Sequence, residues 1–129
     1  MIVDTSAVLA IVQGEPGFEV FATAISASET PRISAASFLE ASIVAETRAG
    51  DRGLRQFDHF MRESGLSVEA VTHEHALIAR EGFSNYGKGR HPAGLNFGDC
   101  FAYALAKSTG EPLLFKGEDF RQTDVVPAL

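Results

Sequence analysis

The sequence contains one cysteine and no tryptophan among its 129 residues. A single cysteine excludes an intrachain disulfide framework, and it is typical of proteins in a reducing compartment. Long hydrophobic runs are missing too, because no stretch approaches the roughly 18 apolar residues of a membrane-spanning helix. The apolar residues 1–13 have neither a basic n-region nor a small-residue cleavage site, unlike a signal peptide. We expect a soluble, cytoplasmic protein with no membrane contact.

Positive charge is scarce, with 11 Lys and Arg residues against 17 Asp and Glu residues and a net charge of −6. A general nucleic-acid coating protein would be basic, so this composition argues against that class. It does not exclude a nuclease, because bound divalent cations cancel acids locally and a short basic loop can contact phosphates. The length of the chain predicts a single domain over residues 1–129.

Short apolar strands alternate with helices along the chain. The pattern predicts strands at residues 2–3, 31–34, 66–71, 112–115 and 125–126, and helices at 7–12, 18–25, 36–48, 51–63, 73–86 and 96–109. This alternation is typical of an α/β fold with three layers, α/β/α, around a short-stranded and mainly parallel central sheet. The Gly-rich stretch 87–95 is predicted to be a loop.

Three acids occupy positions at which a carboxylate is unusual. Asp4 follows the first strand, where parallel sheets bind ligands, although Asp is also a preferred helix N-cap. Glu40 shares a largely apolar helical face and has no Lys or Arg within a turn, so it either has a functional role or forms a long-range salt bridge. Asp99 opens an apolar helix three residues after Asn96, a spacing that also suits a capping box. Because the three lack basic neighbours, they predict a divalent-metal site, and oxygen ligands favour Mg²⁺ or Mn²⁺ over Zn²⁺.

Two further groups of polar residues lie near these acids or could contact a substrate. The hydroxyls of Thr5 and Ser6 either support a metal-bound water or a phosphate, or cap the first helix. The loop after the fifth predicted helix carries three potential cations in a short space, which makes it either a phosphate contact or a solvated basic loop. These cations are Lys88, Arg90 and His91.

Taken in order, these motifs resemble a PIN-domain ribonuclease and, more narrowly, a VapC-type toxin of a toxin–antitoxin pair. The resemblance covers the whole chain. It rests on Ile2-Val3-Asp4-Thr5-Ser6-Ala7, Ser37-Phe38-Leu39-Glu40, Leu95-Asn96-Phe97-Gly98-Asp99-Cys100, Tyr86-Gly87-Lys88-Gly89-Arg90-His91 and Leu113-Leu114-Phe115-Lys116-Gly117-Glu118-Asp119-Phe120.

The resemblance implies a PIN-like fold and an endoribonuclease that uses Mg²⁺, with Mn²⁺ as a substitute. Asp4 and Asp99 would hold the metal, Glu40 would be a ligand or a base for the attacking water, and Asn96 would support the site. The family's fourth acid follows a Thr after the last long strand, and this chain departs from that pattern. Asp119 is our choice for the fourth acid, with Glu118 and Asp124 as reserves.

The resemblance also implies partners: an RNA substrate, a cognate VapB-like antitoxin and a second copy of the chain in a homodimer. Apolar helical surfaces near residues 18–28 and 38–61 are candidates for the protein contacts. Two other functions stay open. One is a catalytically silent PIN-like binding module, because the fourth acid departs from the pattern. The other is a receiver-like phospho-acceptor, which should have an acidic pair after the first strand, where only Asp4 stands.

Overall fold

Four short parallel strands form the central sheet, in the order Ser67–Glu69 (β3), Arg32–Ser34 (β2), Ile2–Val3 (β1) and Leu113–Leu114 (β4). The computed structural model describes every residue from Met1 to Leu129. Its strands are β1 Ile2–Val3, β2 Arg32–Ser34, β3 Ser67–Glu69 and β4 Leu113–Leu114, and its helices are α1 Thr5–Val12, α2 Phe18–Ala27, α3 Ala35–Ser64, α4 His73–Tyr86 and α5 Asp99–Thr109, followed by a 3₁₀ turn at Phe120–Gln122.

The neighbouring strands β1 and β4 are apolar along their length because helices cover both faces of the sheet there. Successive side chains of a strand point to opposite faces. Ile2 and Leu113 therefore join one core cluster, which contains the buried residues of α5. Val3 and Leu114 join another cluster, which contains apolar residues of α1 and α3. All four side chains are fully buried. The three-layer, parallel α/β fold expected from the sequence is confirmed.

The long helix α3 is interrupted near its middle. Ala49 and Gly50 have non-helical backbone angles, and Gly50 adopts φ 60° and ψ −149°. Only glycine takes up this conformation without strain. The two helices predicted at 36–48 and 51–63 are therefore present as two helical halves of α3. None of the helices combines the length and apolar character needed to cross a membrane.

The last predicted strand, at residues 125–126, is wrong. The segment makes only an isolated bridge between Pro127 and Leu113. Two hydrogen bonds support this bridge: Leu113 N–H donates to the Val126 carbonyl at 2.8 Å and Ala128 N–H donates to the Leu113 carbonyl at 2.9 Å. The neighbours of Pro127 make both bonds, so the missing proline N–H removes no hydrogen bond to β4. Apolar residues near the C-terminus thus pack along β4 without extending the sheet.

An ion-pair cluster lies at the amino end of the sheet. The Glu111 carboxylate accepts from the α-amino group of Met1 at 2.5 Å and pairs with the Arg32 guanidinium, which also lies 3.5 Å from Glu69. Arg32 begins β2 in register with Ile2, so its cation is at the end of the sheet opposite the residues that follow the strands. One of the few positive charges of the chain is therefore held away from the carboxyl edge.

Candidate functional site

Asp4 is buried at the carboxyl end of β1, with 3% of its surface exposed. Its Oδ2 accepts hydrogen bonds from the backbone N–H of Ser6 at 2.9 Å and from the Ser6 hydroxyl at 2.6 Å. Its own N–H donates to the Leu114 carbonyl at the end of β4, at 2.9 Å. Asp4 is therefore the N-cap of α1 and also a carboxylate fixed at the edge of the sheet.

The Ser6 hydroxyl links Asp4 to the end of the neighbouring strand. While it donates to Asp4, its oxygen accepts from the backbone N–H of Lys116 at 2.9 Å. Thr5 has a different contact: its hydroxyl donates to the Ser37 carbonyl at 3.2 Å and so joins α1 to the first turn of α3. Ser6 thus supports the carboxylate itself, whereas Thr5 supports the helix that carries Glu40.

Glu40 extends from the first half of α3 toward the start of α5. Its carboxylate lies against Gly98, such that a Cβ built on that glycine would be 2.9 Å from Glu40 Oε1. None of the salt bridges in the structure involves Glu40. Glu40 therefore does not form the long-range salt bridge that was the alternative from the sequence. Its charge acts instead on the carboxylates of Asp4 and Asp99.

Asp99 is the first residue of α5 and is held by reciprocal hydrogen bonds with Asn96. The Asn96 N–H donates to Asp99 Oδ2 at 2.9 Å, and the Asp99 N–H donates to Asn96 Oδ1 at 2.9 Å. This is the capping-box arrangement that the spacing indicated. Asn96 consequently orients the carboxylate of Asp99 at the rim of the sheet.

Burial and mutual repulsion disturb the protonation of these acids. Burial, together with the charges of Asp4, Glu40 and Asp119, raises the pKa of Asp99 to about 6, against the opposing hydrogen bond from Asn96. Burial also raises the pKa of Asp4, with a smaller contribution from the charge of Glu40, although the hydrogen bonds from Ser6 act in the other direction. The acids are close enough to interact electrostatically although they come from three separate parts of the chain.

Of the three candidates for a fourth acid, Asp119 is the one that acts on Asp99. It lies exposed just before the 3₁₀ turn, and its charge contributes to the raised pKa of Asp99. Glu118 is 81% exposed and lies 3.7 Å from Arg121. Asp124 accepts a hydrogen bond from the Tyr103 hydroxyl at 2.8 Å and pairs with Lys107 at 2.9 Å. Asp124 is thus engaged by Tyr103 and Lys107 and is not among the charges that act on Asp99.

The donor set fits a hard divalent cation that keeps part of its water shell. No group of three or more His, Cys, Asp or Glu side chains surrounds a point at which all could ligate one ion. Mg²⁺ does not require such a cage, since it is usually held by one or two carboxylates and several waters. Asp4 and Asp99 offer two carboxylates at the same edge, and no Lys or Arg side chain forms a salt bridge with either.

The basic loop lies next to Asn96 because its two ends are fastened to each other. Lys88 N–H donates to the Leu95 carbonyl and Leu95 N–H donates to the Tyr86 carbonyl, both at 2.9 Å. Lys88 and Arg90 are exposed. His91, predicted with them as a phosphate contact, is half-buried: its Nδ1 accepts from the Ala93 N–H at 3.0 Å and its ring meets the edge of Tyr86. The structure thus gives His91 a role within the loop.

Two residues that contact the site were not among the predicted site residues. Gly98 is the surface on which Glu40 rests, and Lys116 contributes the backbone N–H that Ser6 accepts. The Nζ of Lys116 lies 2.5 Å from Glu15 Oε2, so its side chain is paired at the same rim. The sequence offered a signal for Gly98, because a glycine beside a candidate ligand allows close approach, but nothing identified Glu40 as the group that approaches.

We predict that Asp99→Asn stabilises the metal-free protein near neutral pH. The pKa of Asp99 is about 6 in the folded state against 3.8 ordinarily, so its contribution to stability is full below about pH 4 and is lost as pH rises through 6. The variant should gain about 1 to 2 kcal/mol in free energy of unfolding at about pH 7.5, after allowance for solvent screening, and less at about pH 5. Urea unfolding in chelator at both pH values measures this.

The exposed Glu118→Gln variant is the matched control and should change stability by less than about 0.5 kcal/mol at either pH. An equal gain for Asp99→Asn at both pH values would contradict the electrostatic explanation.

Comparison with known proteins gives consistent results for sequence and for structure. Residues 1–126 match the PIN domain family. A VapC ribonuclease of Mycobacterium bovis is 47% identical over 125 residues, covering 97% of this chain and 95% of that protein. A ribonuclease VapC of Mycolicibacterium smegmatis is 49% identical, covering 97% of each.

Among solved structures, VapC20 of Mycobacterium tuberculosis, described as a sarcin–ricin loop cleaving toxin, superimposes with a TM-score of 0.78 at 19% identity and covers 97% of this chain and 95% of its own. A VapBC2 structure from Rickettsia felis, bound to a DNA fragment from its promoter, gives a TM-score of 0.77 at 12% identity over 98% and 95% of the two chains. At these identities the structures show a common fold. The family match covers nearly the whole chain, and the two VapC ribonucleases are identical to it at nearly half of the aligned positions. The chain therefore belongs to the PIN-domain family, and its relatives include VapC ribonucleases.

Proposed function

We propose that this protein is a metal-dependent endoribonuclease, the toxin of a type II toxin–antitoxin pair. The observation that carries the proposal is the convergence of Asp4, Glu40 and Asp99 at one edge of the sheet, with raised pKa values for two of them and no cation in contact. The identity of 47% and 49% to relatives named as VapC ribonucleases supports RNA cleavage as the reaction. Since cellular RNA is the proposed substrate, we expect the protein to act in the cytoplasm.

The four acids take separate roles in this proposal. Asp4 and Asp99 would hold Mg²⁺, or Mn²⁺ in its place, because both are fixed by hydrogen bonds at the rim. The ion when bound lowers the pKa of a water molecule and neutralises charge that develops on the phosphate oxygens. Glu40, whose carboxylate has no cationic partner, accepts the proton of the attacking water. Asp119 orients waters from the exposed side of the cluster.

The alternatives from the sequence fare differently against the geometry. A receiver-like domain has no support, because the chain is a PIN-family member and Asp4 has no acidic neighbour after β1. A catalytically silent binding module would have no need for three acids held together against their mutual repulsion. The cleavage assay below separates the silent module from the enzyme.

Asp4→Asn and Asp99→Asn should each reduce Mn²⁺-dependent cleavage of a structured RNA by on the order of 100-fold or more, because each removes a charged ligand. Gel analysis of 5′-labelled RNA measures the rate, and circular dichroism verifies folding. Asp119→Asn should have a smaller effect, and the neighbouring Glu118→Gln serves as the control with unchanged activity. Full cleavage by a folded Asp4→Asn protein would refute the assignment.

The RNA contact is proposed at Lys88 and Arg90, the exposed cations of the loop that leads into Asp99. Arg90 also lies over the ring of Phe83, at 5.4 Å from its centroid, which restrains the guanidinium beside α4. Because the loop ends are paired through Leu95, both cations lie on the segment that leads directly into Asn96 and Asp99. They supply the positive charge that the cluster itself lacks.

Lys88→Ala combined with Arg90→Ala should weaken RNA binding and reduce the slope of log affinity against log salt by about 1 to 2, since each cation neutralises about one phosphate. Fluorescence anisotropy with the catalytically inactive Asp99→Asn background, titrated at several salt concentrations, measures both. Arg52→Ala combined with Arg55→Ala removes the same charge from the exposed second half of α3 and is the matched control. An equal loss in the control would assign the effect to net charge alone.

The protein partners are proposed to be a VapB-like antitoxin and a second copy of the chain. Toxin–antitoxin complexes are among the solved structures with the same fold, and this supports the antitoxin. For the second copy, an exposed apolar surface lies beside the acids: Leu39 and Ile43 on α3 and Phe97 before α5 are 58%, 55% and 79% exposed. Large exposed apolar side chains in one patch are typical of protein interfaces.

We predict that Leu39→Asp combined with Ile43→Asp converts a dimer into a monomer, because two buried charges would face the partner copy. Size-exclusion chromatography with light scattering measures the mass. Leu77→Asp on α4, at a residue that is 43% exposed and lies outside both candidate surfaces, is the control and should stay dimeric. A wild-type protein that is already monomeric contradicts the dimer. A double variant that remains dimeric but no longer binds the antitoxin would place the antitoxin on this surface.

A further inference from the structure

Gly98 has an ordinary backbone conformation, so backbone freedom does not explain the glycine. Its angles are φ −63° and ψ −41°, in the right-handed helical region that every residue adopts. Other glycines of the chain, such as Gly50, Gly89 and Gly117, have positive φ and would be strained as alanine. The lack of a side chain at position 98 must therefore have another physical cause.

That cause is the carboxylate of Glu40, which occupies the space of a side chain. A Cβ on Gly98 would lie 2.8 Å from Glu40 Cδ and 2.9 Å from Oε1, and closer still to Oε2. Contacts of this length between a Cβ and the atoms of a carboxylate are repulsive, so one of the two groups would have to shift. Glu40 is the mobile one of the pair, because its side chain rotates, whereas the peptide at Gly98 is tied to the capping box of Asn96 and Asp99.

We propose that Gly98 is a positioning residue for Glu40: the absence of a side chain at position 98 lets the Glu40 carboxylate lie beside Asp99 and Asp4. This inference rests on the proposed nuclease function, in which Glu40 accepts the proton of the attacking water. In this inference the position of the Glu40 carboxylate depends on Gly98, at the start of α5, and not only on α3, the helix that carries Glu40. A methyl group at position 98 turns the Glu40 carboxylate away from the other two acids.

The test is a double-mutant cycle with Gly98→Ala and Glu40→Ala, measured in the full-length protein. In the wild-type background, Gly98→Ala should lower kcat for RNA cleavage by about 10- to 100-fold, the usual range for residues that orient a metal site, with KM within about two-fold. In the Glu40→Ala background the carboxylate is gone, so Gly98→Ala should cost less than about two-fold more. Such strong non-additivity is the signature of one group acting through the other.

Two further measurements are independent of RNA cleavage. Calorimetric titration with Mn²⁺ should show weaker binding to Gly98→Ala than to wild type, because the negative charge of Glu40 beside Asp4 and Asp99 favours a divalent cation even without direct ligation. Glu40→Ala and the double variant should bind Mn²⁺ equally weakly. The melting temperature of metal-free Gly98→Ala should not fall, because alanine is a better helix former than glycine and the change relieves repulsion among the acids. Gly82→Ala, whose Cβ would meet the Tyr103 ring at 2.6 Å between α4 and α5, is the contrasting structural variant and should melt at a lower temperature.

The outcomes separate this inference from the proposed function. Unchanged kcat and Mn²⁺ affinity in Gly98→Ala, or an equal loss in the Glu40→Ala background, would overturn it; the second result would mean that Gly98 positions Asp99 instead. If the wild type binds Mn²⁺ but cleaves no RNA, the nuclease proposal fails. The Mn²⁺ titrations of the four proteins then still decide whether Gly98 acts through Glu40.

Discussion

Repulsion among carboxylates at one edge of a parallel sheet is the constraint on which the rest of this structure depends. Asp4, Glu40 and Asp99 converge at a partly buried edge of the sheet. No Lys or Arg side chain neutralises their charges through a salt bridge. Such an arrangement opposes folding at neutral pH and is relieved by a divalent ion or by protons. The few basic residues are placed accordingly: Arg32 pairs with Glu111 at the other end of the sheet, and Lys107 pairs with Asp124.

The scaffold offsets this local cost with apolar packing elsewhere. Both core clusters contain strand residues buried on opposite faces of the sheet, together with the inner sides of the helices. Hydrogen bonds then restrict the acids: Ser6 holds Asp4 and Asn96 holds Asp99. Two of the acids are thus fixed by polar contacts within a few residues, whereas Glu40 depends on shape, through the bare surface of Gly98. A site assembled in this way is rigid where it would bind the ion.

The basic loop complements the cluster without neutralising it. Its ends are joined by backbone hydrogen bonds through Leu95, one residue before the capping box of α5. Lys88 and Arg90 are exposed to solvent on the segment that leads into this capping box. An acidic chain can hold an anionic polymer in this way, because attraction is confined to a short segment next to the acids that would carry the metal.

The sequence by itself determined the features that follow from local geometry. Apolar runs of period two and helical stripes predicted the three layers and the break at Gly50, and the spacing of Asn96 and Asp99 predicted their capping box. Tertiary structure alone decided which groups meet across the chain. Ser6 bonds to Lys116 over a separation of 110 residues, and Glu40 rests on Gly98. The reason is physical: strand and helix periods fix neighbours within a few residues, whereas strand order and helix packing bring distant side chains into contact.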